Sequence, residues 1–279
     1  MSTVMFWSPQ AGHGKTSSHT ALVTLTAALQ YRLRILVCHN QAQGESIESG
    51  LMAHGTLVST AYQESDIGID SVRRLLSSRK LNKNNISDYT IPLLKDRLDL
   101  LPGTMIQSNQ TVPDKDSDWQ DILNIANEYY DLVIVDIGSG MDKVELLKYA
   151  DGVVVNMSQN INHLESFFTT SKQWASIHQQ PWTTVLGAYD PDSKCTISNI
   201  RRKYSLKQNI FAIENDAQFR DAWNVQTLLP FVRRNLGVAQ PRKYVELFKQ
   251  ATMLTEHVLE QLNEGHDYKR LGEGKLHAI

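Results

Sequence analysis

Apolar residues fall into short continuous runs, and the stretches between those runs carry helical spacing. "TVMFW" (3–7), "RILVCHN" (34–40), "LDLLPG" (98–103), "YDLVIVDIG" (130–138), "DGVVVNMS" (151–158), "TTVLGAYD" (183–190) and "IFAIEN" (210–215) read as strands. Runs this apolar fit strands covered on both faces of a parallel sheet. Helical patterns occupy 16–31, 66–79, 117–129, 141–149, 162–178, 194–204, 216–224 and about 241–262; in the first, Ala21, Leu22, Leu25, Ala28 and Leu29 recur at helical spacing. The alternation predicts an α/β fold, a doubly wound and mainly parallel sheet flanked by helices. The stretch 80–97, "KLNKNNISDYTIPLLKDR", reads as a surface loop, and no internal repeat or low-complexity linker interrupts the chain. One domain over 1–262 with a mobile tail over 263–279 is the expected organisation.

Composition narrows this little. A chain of 279 residues with 41% hydrophobic and 21% charged residues suits one large globular domain. The formal net charge of -2 gives no global attraction to nucleic acid or anionic lipid, so such binding would need a local patch. Cys38 and Cys195 are too few for a disulfide framework and lack metal-ligand spacing. No stretch approaches the ~20 apolar residues of a membrane span, and no signal-peptide pattern opens the chain. A cytoplasmic protein is expected, open to recruitment to a membrane-bound assembly or the nucleoid.

The chemistry concentrates just after the first predicted strand, in "SPQAGHGKTSSHT" (8–20). A strand that delivers a glycine loop to a helix start places backbone N–H groups and the helix dipole around an anion. Gly12 and Gly14 allow the close backbone approach, Lys15 would reach the β- and γ-phosphates, and the Thr16 hydroxyl would ligate Mg²⁺. The full pattern G-x-x-x-x-G-K-[ST] is not met, because its first position is Pro9. An ordinary helix start with a lysine in its first turn is the plainer alternative. "YYDLVIVDIGSG" brings Asp136 to the carboxyl end of a strand, where it would hold magnesium; a turn or cap residue is the plainer reading. Gly140, four residues later, would set an N–H against a γ-phosphate.

With "ADGVVVNMS" and "DAQFRDAWNVQTLLPF", these segments make residues 3 to about 255 resemble the ParA/MinD superfamily of partition and positioning ATPases. That superfamily carries a deviant Walker A loop, K-G-G-x-G-K-[ST], and a D-x-x-x-G switch II. A closer likeness is to its TadZ/CpaE branch, without the receiver-like domain usual there. The resemblance implies ATP and Mg²⁺ as cofactors, bound by Gln10, Ala11, Gly12, His13, Gly14, Lys15, Thr16, Ser17 and Gly140. It also implies a nucleotide-dependent homodimer that engages a further protein or machine. Lys15, Asp136 and Gln41 are the catalytic candidates, and Thr16 and Asp136 the metal candidates. Adenine contacts would come from 187–190 and 214–216.

Two departures bear on catalysis. The superfamily's signature lysine, which crosses to the partner's nucleotide, falls at Gln10. Its switch I motif, D-x-D-P-Q-G, aligns with His39 and Gln41 at the two aspartates. Gln10 cannot place a charge on the transferred phosphoryl group, and Gln41 would have to orient water without one. Slow hydrolysis is expected, and a non-hydrolysing scaffold is the competing reading. The iron protein of nitrogenase, another P-loop relative, needs cysteines between subunits that neither Cys38 nor Cys195 supplies, and no ligase substrate motif is recognisable.

Four basic clusters (Arg73-Arg74 with Arg79-Lys80, Arg201-Arg202-Lys203 with Lys207, Arg233-Arg234, Arg242-Lys243) admit non-specific DNA as a partner. For any one of them a solvated helix face is the simpler explanation. The last helix carries a stripe of Val245, Phe248, Met253, Leu254, Val258 and Leu262, which reads as core; the tail after it lacks the broad apolar face of a membrane-targeting helix.

Overall fold

The computed structural model describes residues 1–52, 66–105, 116–177, 180–236, 245–262 and 268–271, with backbone only at 116–117, 171–177 and 245. Its centre is an eight-stranded sheet in the order β3-β4-β2-β5-β1-β6-β7-β8. The strands are β1 (Ser2–Ser8), β2 (Ile35–His39), β3 (Ile91–Leu94), β4 (Leu98–Leu101), β5 (Leu132–Ser139), β6 (Gly152–Met157), β7 (Trp182–Tyr189) and β8 (Ile210–Glu214). All pair in parallel except β3, which runs antiparallel to β4. All seven residues of β1 are buried, as a central strand covered on both faces requires.

The helices are α1 (Thr16–Gln30), α2 (Glu48–Leu51), α3 (Ile69–Ser77), α4 (Asp116–Tyr129), α5 (Ile161–Ile177), α6 (Ile197–Tyr204), α7 (Ala217–Asn224), α8 (Leu228–Asn235) and α9 (Val245–Gln261). α1, α2, α7, α8 and α9 pack one face of the sheet through residues such as Leu25, Phe219, Val232 and Leu254. α3, α4, α5 and α6 pack the other through Val72, Trp119, Leu164 and Ile200. The expected doubly wound α/β architecture is therefore present.

Local expectations need correction in several places. The loop expected over 80–97 buries Leu81, Ile86 and Ile91 and contains β3. Pro92 lies exposed within β3, which suits an outermost strand because proline cannot donate to a further neighbour. The helix expected at 141–149 is wound throughout as a 3₁₀ helix. α1 is buried nearly all round, since α9 covers the side turned away from the sheet. On α9 the buried side is Leu247, Phe248, Ala251, Leu254, Val258, Leu259 and Leu262, while Met253 of the expected stripe is 45% exposed.

Residues 268–271 return to the end of α1, where Leu271 N–H donates to Gln30 O (2.7 Å) and Arg32 N–H to Lys269 O (3.0 Å). The rest of the expected mobile tail, 263–267 and 272–279, lies outside the described residues, as do Arg242 and Lys243. The other basic clusters are divided: α3 and α6 lie on one face of the sheet and α8 on the opposite one. No helix among the described residues is long and apolar enough to cross a membrane.

Candidate nucleotide site

The carboxyl ends of the parallel strands point to one edge, where open α/β sheets bind ligands at the point of strand reversal. There the residues after Ser8 turn back into α1. Gly12 has φ +76°, and Lys15, immediately before α1, is left-handed at φ 56° and ψ 33°. A Cβ at Gly14 would lie 2.6 Å from both Asn156 O and Ser8 Oγ, so only glycine lets this backbone rest on β1 and β6. Ser8 Oγ donates to Gln10 O (2.9 Å) and accepts from Gln10 N–H (3.3 Å), which fixes the start of the turn. Thr16 is buried, whereas Ala11, Gly12, His13 and Lys15 are exposed around the loop.

A buried polar pair supports the loop from below. Asn156 donates through Nδ2 to Trp7 O (3.2 Å) and Val154 O (3.1 Å), so its Oδ1 accepts from His19 Nδ1–H at 2.7 Å. Burial pushes the His19 pKa down to about 4, Asn156 opposes that shift, and Lys15 adds to it. His19 is therefore a neutral imidazole that ties α1 to β6. The sequence contains the signal for this pair, an asparagine inside the apolar run "GVVVNM".

Asp136 is fully buried within β5, three residues before the strand ends at Ser139 rather than at its expected carboxyl end. Its Oδ1 accepts Gly138 N–H (2.9 Å) and its Oδ2 accepts Ser46 Oγ–H (2.5 Å). Ser46 Oγ also lies 3.2 Å from Ser17 Oγ, so phosphate loop, switch segment and β5 meet at this carboxylate. Thr16 and Asp136 offer hard oxygen donors, too few to cage a cation alone. That donor set suits Mg²⁺, which takes most of its ligands from phosphates and water. Among the described residues no three His, Cys, Asp or Glu side chains converge as a metal cage. Cys38 on β2 is inert: burial first, then Asp136, pushes its thiol up to about 12.

The segment after β2 departs from an aspartate-bearing switch. His39, aligned with the first aspartate, turns inward: its Nε2 is 2.6 Å from Glu48 Oε1, and both side chains are fully buried. Glu48 also accepts Gly103 N–H on Oε1 and Gly44 N–H on Oε2, each at 2.6 Å. Gln41 faces the strand ends, where a Cβ on Gly138 would meet its Nε2 at 2.4 Å. Gly140 (φ 112°) is committed in this arrangement. Its N–H donates to Ser8 O (3.0 Å) and its carbonyl accepts Trp7 Nε1–H (2.9 Å), so the N–H expected to meet a γ-phosphate is already bonded.

Beside Lys15 opens a cavity of about 290 Å³, near the lower end of the ~300–1,000 Å³ usual for small-molecule sites. Lys15, His19, Ala188, Asn215, Asp216 and Trp223 are among its lining residues. Glu214 lines it too, its carboxyl raised by burial and by Glu246 and Asp190. Gly187, expected at the adenine, instead packs beneath the phosphate loop, where a Cβ would meet Gly14 O at 2.7 Å. Sequence reasoning missed Ser46, Glu48 and Trp223. Nothing in the local pattern of "GESIESG" or "DAWN" marks them.

No protein-family model and no curated protein matches the chain by sequence. Solved structures do match. A ParA family ATPase from Chlorobium tepidum aligns over 92% of this chain and 99% of its own, with TM-score 0.71 and 16% identity. The MinC:MinD cell division protein complex of Aquifex aeolicus aligns over 98% and 100%, with TM-score 0.66 and 15% identity. The septum site-determining protein MinD of Pyrococcus horikoshii, complexed with Mg-ADP, aligns over 94% and 99%, with TM-score 0.63 and 12% identity. The chain thus has the fold shared by ParA and MinD ATPases. The likeness is one of fold, and it does not single out the TadZ/CpaE branch.

Proposed function

We propose that this chain is a ParA/MinD-like nucleotide switch: it binds Mg·ATP, pairs with a second copy, and recruits or positions a larger assembly. One observation carries the reading. A glycine turn that only Gly14 permits sets Lys15 on the wall of a cavity of about 290 Å³, and Ser17 links the same loop through Ser46 to the buried carboxylate of Asp136. In the bound state the backbone of 10–16 and Lys15 would hold the phosphates, and Thr16 and Asp136 the magnesium. Bound magnesium would supply charge neutralisation at the phosphates. The cavity formed by Ala188 and 214–216 would take the base.

Intrinsic hydrolysis is slow in this reading, because Gln10 brings no positive charge and Gln41 is the remaining polar group of the switch segment turned toward Gly138. The inward-facing His39–Glu48 pair favours a second reading, a scaffold that binds nucleotide without turning it over. Calorimetry with ATP and magnesium tests the site: binding is expected in the wild type and lost in Lys15→Ala, and equal affinity in both would overturn the assignment. Light scattering with a non-hydrolysable ATP analogue then separates the readings, since a dimer equally tight without nucleotide belongs to the scaffold.

A further inference from the structure

Hydrogen bonds link the cavity wall to the candidate metal carboxylate in two segments that meet at Ser46, one at its carbonyl and one at its hydroxyl. Trp223 lines the cavity, and its Nε1–H, which can only donate, points at Ser49 Oγ (3.1 Å). Ser49 Oγ–H donates to Ser46 O (2.7 Å), and Ser46 Oγ–H donates to Asp136 Oδ2 (2.5 Å). A carboxylate only accepts, so every hydroxyl along this path has one orientation. The ring of Trp223 also rests directly on Gly50, where a Cβ would come within 2.6–2.8 Å of its atoms. Ser46 itself sits at φ 54°, in the left-handed region that a non-glycine residue occupies at a cost.

We infer that Trp223 is a positioning residue that couples the nucleoside cavity to the cation site: a base seated against its ring sets Ser49 and Ser46, and through them the carboxylate of Asp136. The inference rests on the nucleotide-switch reading. With Ser46 on Oδ2, a cation approaching Asp136 competes with that hydroxyl. Whatever shifts the 46–50 segment changes the competition, and linkage requires the cation to act back on the base equally. Sequence offers no hint of this, since Trp223 and Ser49 are 174 residues apart.

The test compares two phosphate ligands in the full chain. Mn²⁺ affinity, read by electron paramagnetic resonance, is measured with the protein loaded with ATP and with inorganic tripolyphosphate, which has the phosphates but no base. The ratio of the two affinities is then followed across variants, so the intrinsic difference between the ligands cancels. Trp223→Phe keeps a ring and removes the N–H. Ser49→Ala removes the acceptor and leaves the ring untouched, so the test survives if the first variant folds poorly. Each substitution should change the ratio by about fivefold or more, and the double variant should add nothing to either, as for partners in one interaction. An unchanged ratio in both single variants, with both ligands bound, would overturn the coupling alone. Failure of the wild type to bind either ligand would overturn the nucleotide reading and the coupling with it.

Discussion

Two buried histidines support the two sides of the candidate site, and they are built on opposite principles. Under the phosphate loop, His19 bonds to the neutral amide of Asn156 at 2.7 Å and stays uncharged. Under the switch segment, His39 bonds at 2.6 Å to Glu48, whose two oxygens also collect the N–H groups of Gly44 and Gly103. The first arrangement keeps charge away from a place where phosphate charge is expected. The second gathers three donors, from the end of β2, the switch segment and the turn after β4, around one fully buried carboxylate. The loop side is therefore fixed by backbone shape, with the amide pair as a brace, whereas the switch side is organised by a single side chain.

That contrast is sharpest if the carboxylate is removed. Glu48→Ala leaves the His39 ring and the N–H groups of Gly103 and Gly44 without their acceptor and should cost about 3 kcal/mol or more, at ~1–3 kcal/mol for each unsatisfied buried group, read as a lowered midpoint in urea. A loss under 1 kcal/mol would mean that water or a neighbour replaces Glu48.

The neutral pair should reveal itself through pH. The folded-state pKa of His19 is about 4 against an ordinary 6.5, so the unfolded chain binds more protons between those values. Stability from this group is complete above pH 6.5 and declines by about 3 kcal/mol as pH falls to 4. His19→Gln, measured by denaturation at pH 4.5 and 7, should flatten that decline; an identical slope in the variant would refute the assignment.

Gly14→Ala addresses the loop's shape directly. Its Cβ would press on the Asn156 carbonyl and on Ser8, costing about 1–3 kcal/mol of stability and removing phosphate binding in calorimetry. Retained binding would mean that the loop does not need the close approach seen here. The smallest effect is expected from restoring charge to both sides at once. Gln10→Lys with Gln41→Asp should raise ATP turnover about tenfold, roughly 1.4 kcal/mol in the barrier. A wild-type rate already within the ~1–100 s⁻¹ of kinases would show that the two glutamines are not limiting.

The same contrast explains what the sequence made legible. Strands buried on both faces announce themselves as apolar runs, and Gly12, Gly14, Lys15, Thr16 and Asp136 occupy the turn, helix start and strand that their order along the chain predicts. β3 was missed because an edge strand holding Pro92 breaks the apolar pattern. α8 was missed because Pro230 stands in its first turn, where proline is tolerated but reads as a breaker. The roles of Ser46, Glu48 and Trp223 exist only through contacts with Asp136, Gly103 and Ser49, 90, 55 and 174 residues away. Local periodicity carries no trace of such partnerships.

Gly140 sets a threshold for whatever happens at this edge of the sheet. Its N–H and its carbonyl are both satisfied by β1, through Ser8 O and Trp7 Nε1. Drawing the residue toward a ligand surrenders both bonds, about 1–3 kcal/mol together at ~0.5–1.5 kcal/mol each. A ligand must offer Gly140 at least that much in new contacts before the turn after β5 leaves its seat. Weak or incomplete occupants of the phosphate loop are thereby filtered out: they would bind without moving the chain at Gly140, and the molecule would carry them silently.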